Sequence, residues 1–209
     1  ILKRVLSECE KFCLKVYRFN KNSDFVTLDG DAEATFGKGG KYPPVPLLGG
    51  KINLAGKIDR IDTAGEYYRV IDYKTGAVDA TDKSLFAGVK LQLYLYAAAV
   101  RGKKLAGAYY MPISDAFKAE GATPAAAVKG KTLADEKALC MQDKSCAGGG
   151  ASEFNGAEIS EGKIVGATDE ETLRAFVKYA LKASESAARE MEQGVIVPSP
   201  YGRVCENCP

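Results

Sequence analysis

Gly56-Lys57-Ile58-Asp59-Arg60-Ile61-Asp62-Thr63-Ala64-Gly65-Glu66-Tyr67-Tyr68-Arg69-Val70-Ile71-Asp72-Tyr73-Lys74 reads as two strands joined by a turn. Its first half continues a period-two pattern that starts at Lys51 and sets Ile52, Leu54 and Ile58 on one side. Thr63-Ala64-Gly65-Glu66 has turn composition, and Tyr67 to Lys74 returns to β-branched and aromatic residues. The two halves therefore predict an antiparallel hairpin that ends at Thr75-Gly76. Side chains alternate across a strand, so Asp72 and Lys74 point the same way. Two registers are open: a four-residue loop at 63–66 sets Asp59 opposite Val70, and a two-residue loop at Gly65-Glu66 sets it opposite Asp72. Either puts Asp59 on the face of Asp72, as diagonal neighbours roughly 7 to 8 Å apart or as direct neighbours about 5 Å apart.

Two carboxylates held that close repel unless one keeps its proton or a cation lies between them. Magnesium takes oxygen ligands and keeps several waters. Asp59, Asp72, a main-chain carbonyl at Tyr73 and a substrate phosphate oxygen would fit its octahedral shell, with manganese as a substitute. Lys74, one pleat past Asp72, is then placed to lower the pKa of a metal-bound water or to neutralise charge on a phosphorane-like transition state. The plainer reading makes Asp59, Arg60, Asp62, Asp72 and Lys74 the solvated face of an ordinary hairpin, paired by cross-strand salt bridges. Gly56, Gly76, Gln92 and Tyr96 weigh towards chemistry, because they put small and polar residues where bulk would otherwise fill the space.

Composition narrows the chemistry further. The 209 residues are 46% hydrophobic and 27% charged, enough to bury a core, and one α/β domain spanning 1–209 is the simplest division. There is no histidine, which rules out a Ser/His/Asp triad, a Cys/His pair and histidine-ligated zinc or haem within the chain. Hydrolysis would have to run on carboxylates, Lys, Tyr or bound metal. The net charge of +2 neither announces nor excludes a nucleic-acid partner. The longest uncharged apolar stretch, Leu91 to Val100, is about half the ~20 residues a membrane helix needs, which predicts a soluble, cytoplasmic protein with no membrane partner. Six cysteines are too sparse for a disulfide scaffold, and Cys205-x-x-Cys208 suits a metal or cluster. The start at Ile1 and the end at Pro209 read as cuts from something larger.

Elsewhere, Leu2, Val5, Leu6, Cys9, Phe12, Cys13, Val16 and Tyr17 recur at helical spacing, predicting an amphipathic helix docked on the core with Cys9 and Cys13 as buried thiols. Glu33 to Gly37 predicts a short strand, followed by breaks at Gly39-Gly40 and Pro43-Pro44-Val45-Pro46. Ser84 to Val100 predicts one helix, with Val89, Leu93, Ala97 and Val100 spaced for burial and Gln92 and Tyr96 on a shared face. Leu105 to Ile113 predicts a strand. The segment 114–166 has no convincing period and reads as a partly structured insertion. Thr168-Asp169-Glu170-Glu171 is a capping-box pattern that opens a helix running to Gln193 and stopped by Gly194.

Three strings now fall into order: Gly56-Lys57-Ile58-Asp59-Arg60-Ile61-Asp62, then Val70-Ile71-Asp72-Tyr73-Lys74-Thr75-Gly76, then Gln92-Leu93-Tyr94-Leu95-Tyr96. Together they resemble the PD-(D/E)XK nuclease domains of the RecB and AddB type. Glu33-Ala34-Thr35-Phe36-Gly37, Tyr109-Tyr110-Met111-Pro112 and Cys205-Glu206-Asn207-Cys208-Pro209 are similar to segments of the AddB branch. The resemblance implies a restriction-endonuclease-like α/β fold, with a central mixed sheet flanked by helices. It implies that Asp59 and Asp72 bind the divalent metal, that Lys74 is the catalytic lysine and that Gln92 and Tyr96 position the scissile strand. Glu33 is a further candidate ligand, with Glu8 or Glu10 as alternatives.

The AddB branch also carries a [4Fe-4S] cluster on one upstream and three C-terminal cysteines. Cys205 and Cys208 match two of these and no third follows, so the cluster is expected in the full-length parent and not in this chain. Cys140 and Cys146 lie outside the pattern and read as ordinary thiols. The expected function is a magnesium-dependent DNA exonuclease domain, a C-terminal piece of a helicase-nuclease acting in double-strand break repair and recombination. Its substrate would be a single-stranded DNA end delivered by an AddA-like subunit. The alternative is a non-catalytic DNA-binding or scaffold module with a degenerate nuclease fold.

Overall fold

Gly65, at φ 53°, turns the central hairpin in two residues, so Ala64 faces Tyr67 and Arg60 faces Ile71. The structure is a computed structural model and describes residues 2–76, 78, 80–113 and 127–197. Its elements run α1 (Leu2–Lys21), β1 (Ala32–Phe36), β2 (Val45–Leu47), β3 (Ile52–Leu54), β4 (Gly56–Ala64) and β5 (Tyr67–Lys74). They continue with α2 (Asp82–Phe86), α3 (Gln92–Ala99), β6 (Lys104–Pro112), β7 (Lys129–Thr132), α4 (Glu136–Gln142), β8 (Gly150–Ala151), β9 (Glu158–Ser160), β10 (Lys163–Val165) and α5 (Glu170–Glu192).

The main sheet has the order β1-β4-β5-β6-β7. Only β5 and β6 are parallel, and the crossover that a parallel pair requires carries α2 and α3. This is the mixed, helix-flanked α/β sheet expected. One face packs Ile61, Tyr68, Val70, Ala108 and Tyr110 against Leu93, Tyr94 and Ala97 of α3 and Leu173 and Phe176 of α5. The other packs Ile71, Tyr109 and Met111 against Phe12, Val16 and Phe19 of α1. Of two smaller sheets, β2-β3 adds Val45 and Leu54 to the α3 and α5 side of this core, and β10-β9-β8 packs Ile159 into a separate cluster with Leu139 and Cys146.

Several expectations need correction. The stretch 84–100 is two helices: Gly88 takes φ 74° and turns the chain, Val89 is exposed, and α3 restarts at Gln92. Cys9 and Cys13 are exposed, because the apolar residues by which α1 docks are Phe12, Val16 and Phe19, while Leu2, Val5 and Leu6 stand in solvent. The Pro-rich break and the start of the long strand form their own hairpin, β2 with β3. The stretch 114–166, expected as an insertion, contributes β7 to the main sheet. There Gly130 sits so close to β6 that a Cβ would lie 2.0 Å from the Ala108 carbonyl oxygen. Nor is the hairpin a wet face: Arg60, Asp62 and Asp72 are all buried. Cys205 and Cys208 lie outside the described residues.

Candidate active site

Because the turn takes two residues, extending the pairing one step past Arg60 and Ile71 brings Asp59 opposite Asp72. The ladder opens there, and the Tyr73 N–H donates to Asp59 Oδ2 at 2.9 Å instead of to a β4 carbonyl. In an extended strand the N–H and C=O of one residue point to the same side, so the Tyr73 carbonyl also faces β4. Lys74, with the opposite parity, accepts from the Ile113 N–H on the β6 side.

Lys74 Nζ lies 2.5 Å from Asp72 Oδ2 and donates to Gln92 Oε1 at 3.0 Å. Gln92 Nε2 in turn donates to the Tyr96 hydroxyl at 2.6 Å. Residues four apart share a helix face, so the restart of α3 at Gln92 sets both side chains over the hairpin. The Tyr110 ring, on the β6 residue paired with Asp72, lies below Lys74 with its centroid 5.4 Å from Nζ. Asp72, Lys74, Gln92 and Tyr96 thus form one connected chain of contacts, with Asp59 held beside it through the Tyr73 backbone.

Electrostatics tie the group together. Burial raises the pKa of Asp72 and the Asp59 charge raises it further, against the opposing pull of Lys74 and Lys90; the net shift is upward. Burial likewise raises the Tyr96 phenol, opposed by the hydrogen bond from Gln92 and reinforced by Asp72, Asp59 and Glu33. Glu33 is therefore within electrostatic reach of the site, but it is exposed, sits at φ 54° and pairs with Lys57 Nζ at 2.5 Å. Glu8 pairs with Lys11 on α1, whose docked residues cover the other side of the sheet. Among the described residues, no three Cys, Asp or Glu side chains converge as a metal cluster.

The oxygen donors on this side of the hairpin are the Asp59 and Asp72 carboxylates, with the Tyr73 carbonyl turned towards β4 by its strand parity, donor types that suit a hard divalent cation. Asp72 Oδ2 is buried and accepts no well-aligned hydrogen bond, although the Lys74 ammonium is within ion-pair distance. A buried carboxylate oxygen left in that condition fits a cation ligand. Two groups at the site were not singled out from sequence: Tyr110, whose face of β6 becomes known only with the parallel register, and Lys90, whose charge acts on Asp72 from the loop before α3.

A family model described as the PD-(D/E)XK nuclease superfamily matches residues 5–209. The chain is 31% identical to a protein of Ruminiclostridium cellulolyticum named as a subunit of an ATP-dependent helicase/deoxyribonuclease, over 81% of the chain and 17% of that protein. It is 32% identical to likewise-named proteins from Thermoanaerobacter sp. and Caldanaerobacter subterraneus, over 90% and 100% of the chain and 19% and 20% of those proteins. The chain spans about a fifth of the length of the curated relatives it matches. The family match covers nearly all of the chain, and the carboxylate–lysine hairpin lies within it: the chain belongs to the PD-(D/E)XK nuclease superfamily.

Proposed function

We propose that this chain, as a single domain, is the metal-dependent nuclease module of an AddB-type helicase-nuclease in recombinational repair of double-strand breaks. In this reading it acts as an exonuclease on single-stranded DNA ends in the cytoplasm, beside an AddA-like subunit, within a parent that carries a [4Fe-4S] cluster. The observation that carries the reading is Lys74, bound at once to Asp72 and Gln92 and set beside Asp59. The names of the relatives pair helicase with deoxyribonuclease. A helicase separates strands, which supports a single-stranded substrate.

Asp59, Asp72 and the Tyr73 carbonyl would hold the metal. When bound, magnesium or manganese supplies the positive charge that keeps both carboxylates ionised and lowers the pKa of a coordinated water. The Lys74 ammonium stabilises negative charge as it builds on the phosphate oxygens. Gln92 fixes that ammonium through Oε1. Tyr96, whose oxygen accepts from Gln92, keeps its own proton to donate to a phosphate, as a phenol does at neutral pH.

The test is cleavage of labelled single-stranded DNA with magnesium. Asp59→Ala, Asp72→Ala and Lys74→Ala should each lose about 10² to 10³ in rate, the cost of removing one group that stabilises transition-state charge. If Asp72→Ala and Lys74→Ala both cut as fast as the parent sequence, the hairpin is not the catalytic site; if the parent sequence binds single-stranded DNA but does not cut it with magnesium, the domain is a DNA-binding module.

A further inference from the structure

A second cleft, of about 340 Å³, opens at the other end of α3. Gln92 begins that helix beside Lys74, whereas the Ala97 carbonyl near its end accepts from the Tyr68 hydroxyl, and Tyr68 lines the cleft. Tyr68 lies four residues before Asp72 on the same face of β5, about 13 Å along the strand. The cleft is therefore separate from the candidate active site but shares its side of the sheet.

Lys103, Lys104, Arg174 and Lys178 line the cleft against a single lining carboxylate, Glu170. Glu170 is shared: it bonds Arg174 and lies 2.9 Å from Lys104 Nζ, which also reaches Asp135 at 3.3 Å. Arg174 and Lys178 are four apart on α5 and present the same face, and Lys103 anchors on the Gly65 carbonyl. Leu105, Leu173 and Val177 form an apolar floor. Even after Glu170 and Asp135 are counted, positive charge is left over above a nonpolar surface. The volume lies at the lower end of small-ligand sites, which run from about 300 Å³. Arginine with lysines is the residue set that binds phosphate.

We propose that this cleft binds a nucleoside phosphate: the phosphate against Arg174, Lys178 and Lys103, the nucleoside against Leu105 and Val177. The phosphate belongs either to a DNA strand crossing the domain or to a free nucleotide. The choice of ligand rests on the nuclease reading, but the binding does not, since none of these residues touches the hairpin carboxylates.

The experiment is fluorescence anisotropy of a labelled oligodeoxythymidylate on the whole chain in EDTA, which removes metal-dependent chemistry, with dTMP and inorganic phosphate as competitors. Arg174→Gln and Lys178→Glu lie at exposed positions of α5 and should each weaken binding about tenfold, as expected for loss of a phosphate contact. Arg189→Glu, exposed further along α5, should change it less than about twofold. Displacement by dTMP assigns the site to free nucleotide, and strand binding that dTMP does not displace assigns it to DNA. Absence of binding, equal losses in all three variants, or displacement by inorganic phosphate as effective as by dTMP overturns the proposal. Asp72→Ala serves as the separator: if it binds normally here yet cleaves normally with magnesium, the nuclease-site reading fails while the cleft stands.

Discussion

Lys74 is held from three directions, by Asp72, by Gln92 and by the face of Tyr110. The ring acts through the Lys74 ammonium, which makes it a positioning element. Tyr110→Phe keeps the π-face and should retain activity on single-stranded DNA. Tyr110→Leu keeps the bulk but loses the cation–π contact, worth about 0.5 to 2 kcal/mol, and should lower kcat by about two- to thirtyfold. Steady-state kinetics read the split, and an unchanged KM separates positioning from loss of DNA binding. Behind the sheet a different cluster serves stability. Asp62 accepts from Arg60 Nε at 2.7 Å, Arg69 Nε at 2.9 Å and Thr27 at 2.6 Å. The Arg69 guanidinium lies between the rings of Phe19 and Phe25, at 4.1 and 4.7 Å. Burial works against both charges. For Asp62, Arg69 and Arg60 outweigh it and the carboxyl is held below its usual range; for Arg69 burial wins and its pKa falls. A carboxyl depressed in the folded state stabilises above the unfolded pKa of about 3.9 and loses that contribution as pH falls through its folded value. Asp62→Asn should therefore cost about 3 to 5 kcal/mol at neutral pH, the effect of breaking a buried pair, and should flatten the acid limb of urea-unfolding stability.

The elements show how unevenly a periodic pattern is used. The apolar stripe of α1 is continuous in sequence, yet Phe19 is 2% exposed while Leu2 and Leu6 are 71% and 59% exposed. Phe19→Ala should destabilise by about 3 to 5 kcal/mol, through a cavity beside Arg69 and Phe154. Leu6→Ala should stay within about 0.5 kcal/mol of the parent in denaturant titration. At α3 a broken period has the opposite value. The turn at Gly88 lets the chain restart at Gln92, so its amide meets Lys74 within the first helical turn. A single unbroken helix from Ser84 would have no such restart above the hairpin.

At the scale of the whole molecule, the site joins distant parts of the chain: β4, β5, α3 and β6 each supply a contact. A cation bound there should stabilise the fold by mass action, by about 2.7 kcal/mol at about 100 times its Kd. At about 2 to 4 °C per kcal/mol this raises Tm by about 5 to 11 °C. Differential scanning fluorimetry with magnesium or manganese reads the rise, and Asp59→Asn with Asp72→Asn should abolish it. A rise that survives both substitutions places the ion elsewhere.

The hairpin, the shared face of Asp59, Asp72 and Lys74, and the pairing of Gln92 with Tyr96 on one helix face were legible in the linear chain. Each depends on local periodicity, two for strands and three to four for helices, and on the turn residues at Gly65 and Gly194. Which register closes the hairpin, which half of α1 docks, where 84–100 breaks and that Gly130 belongs to the main sheet became visible only in three dimensions. The same holds for Tyr110 under Lys74 and for Arg69 between two phenylalanines. These depend on contacts between residues far apart along the chain, where burial and close approach of backbones override local preference.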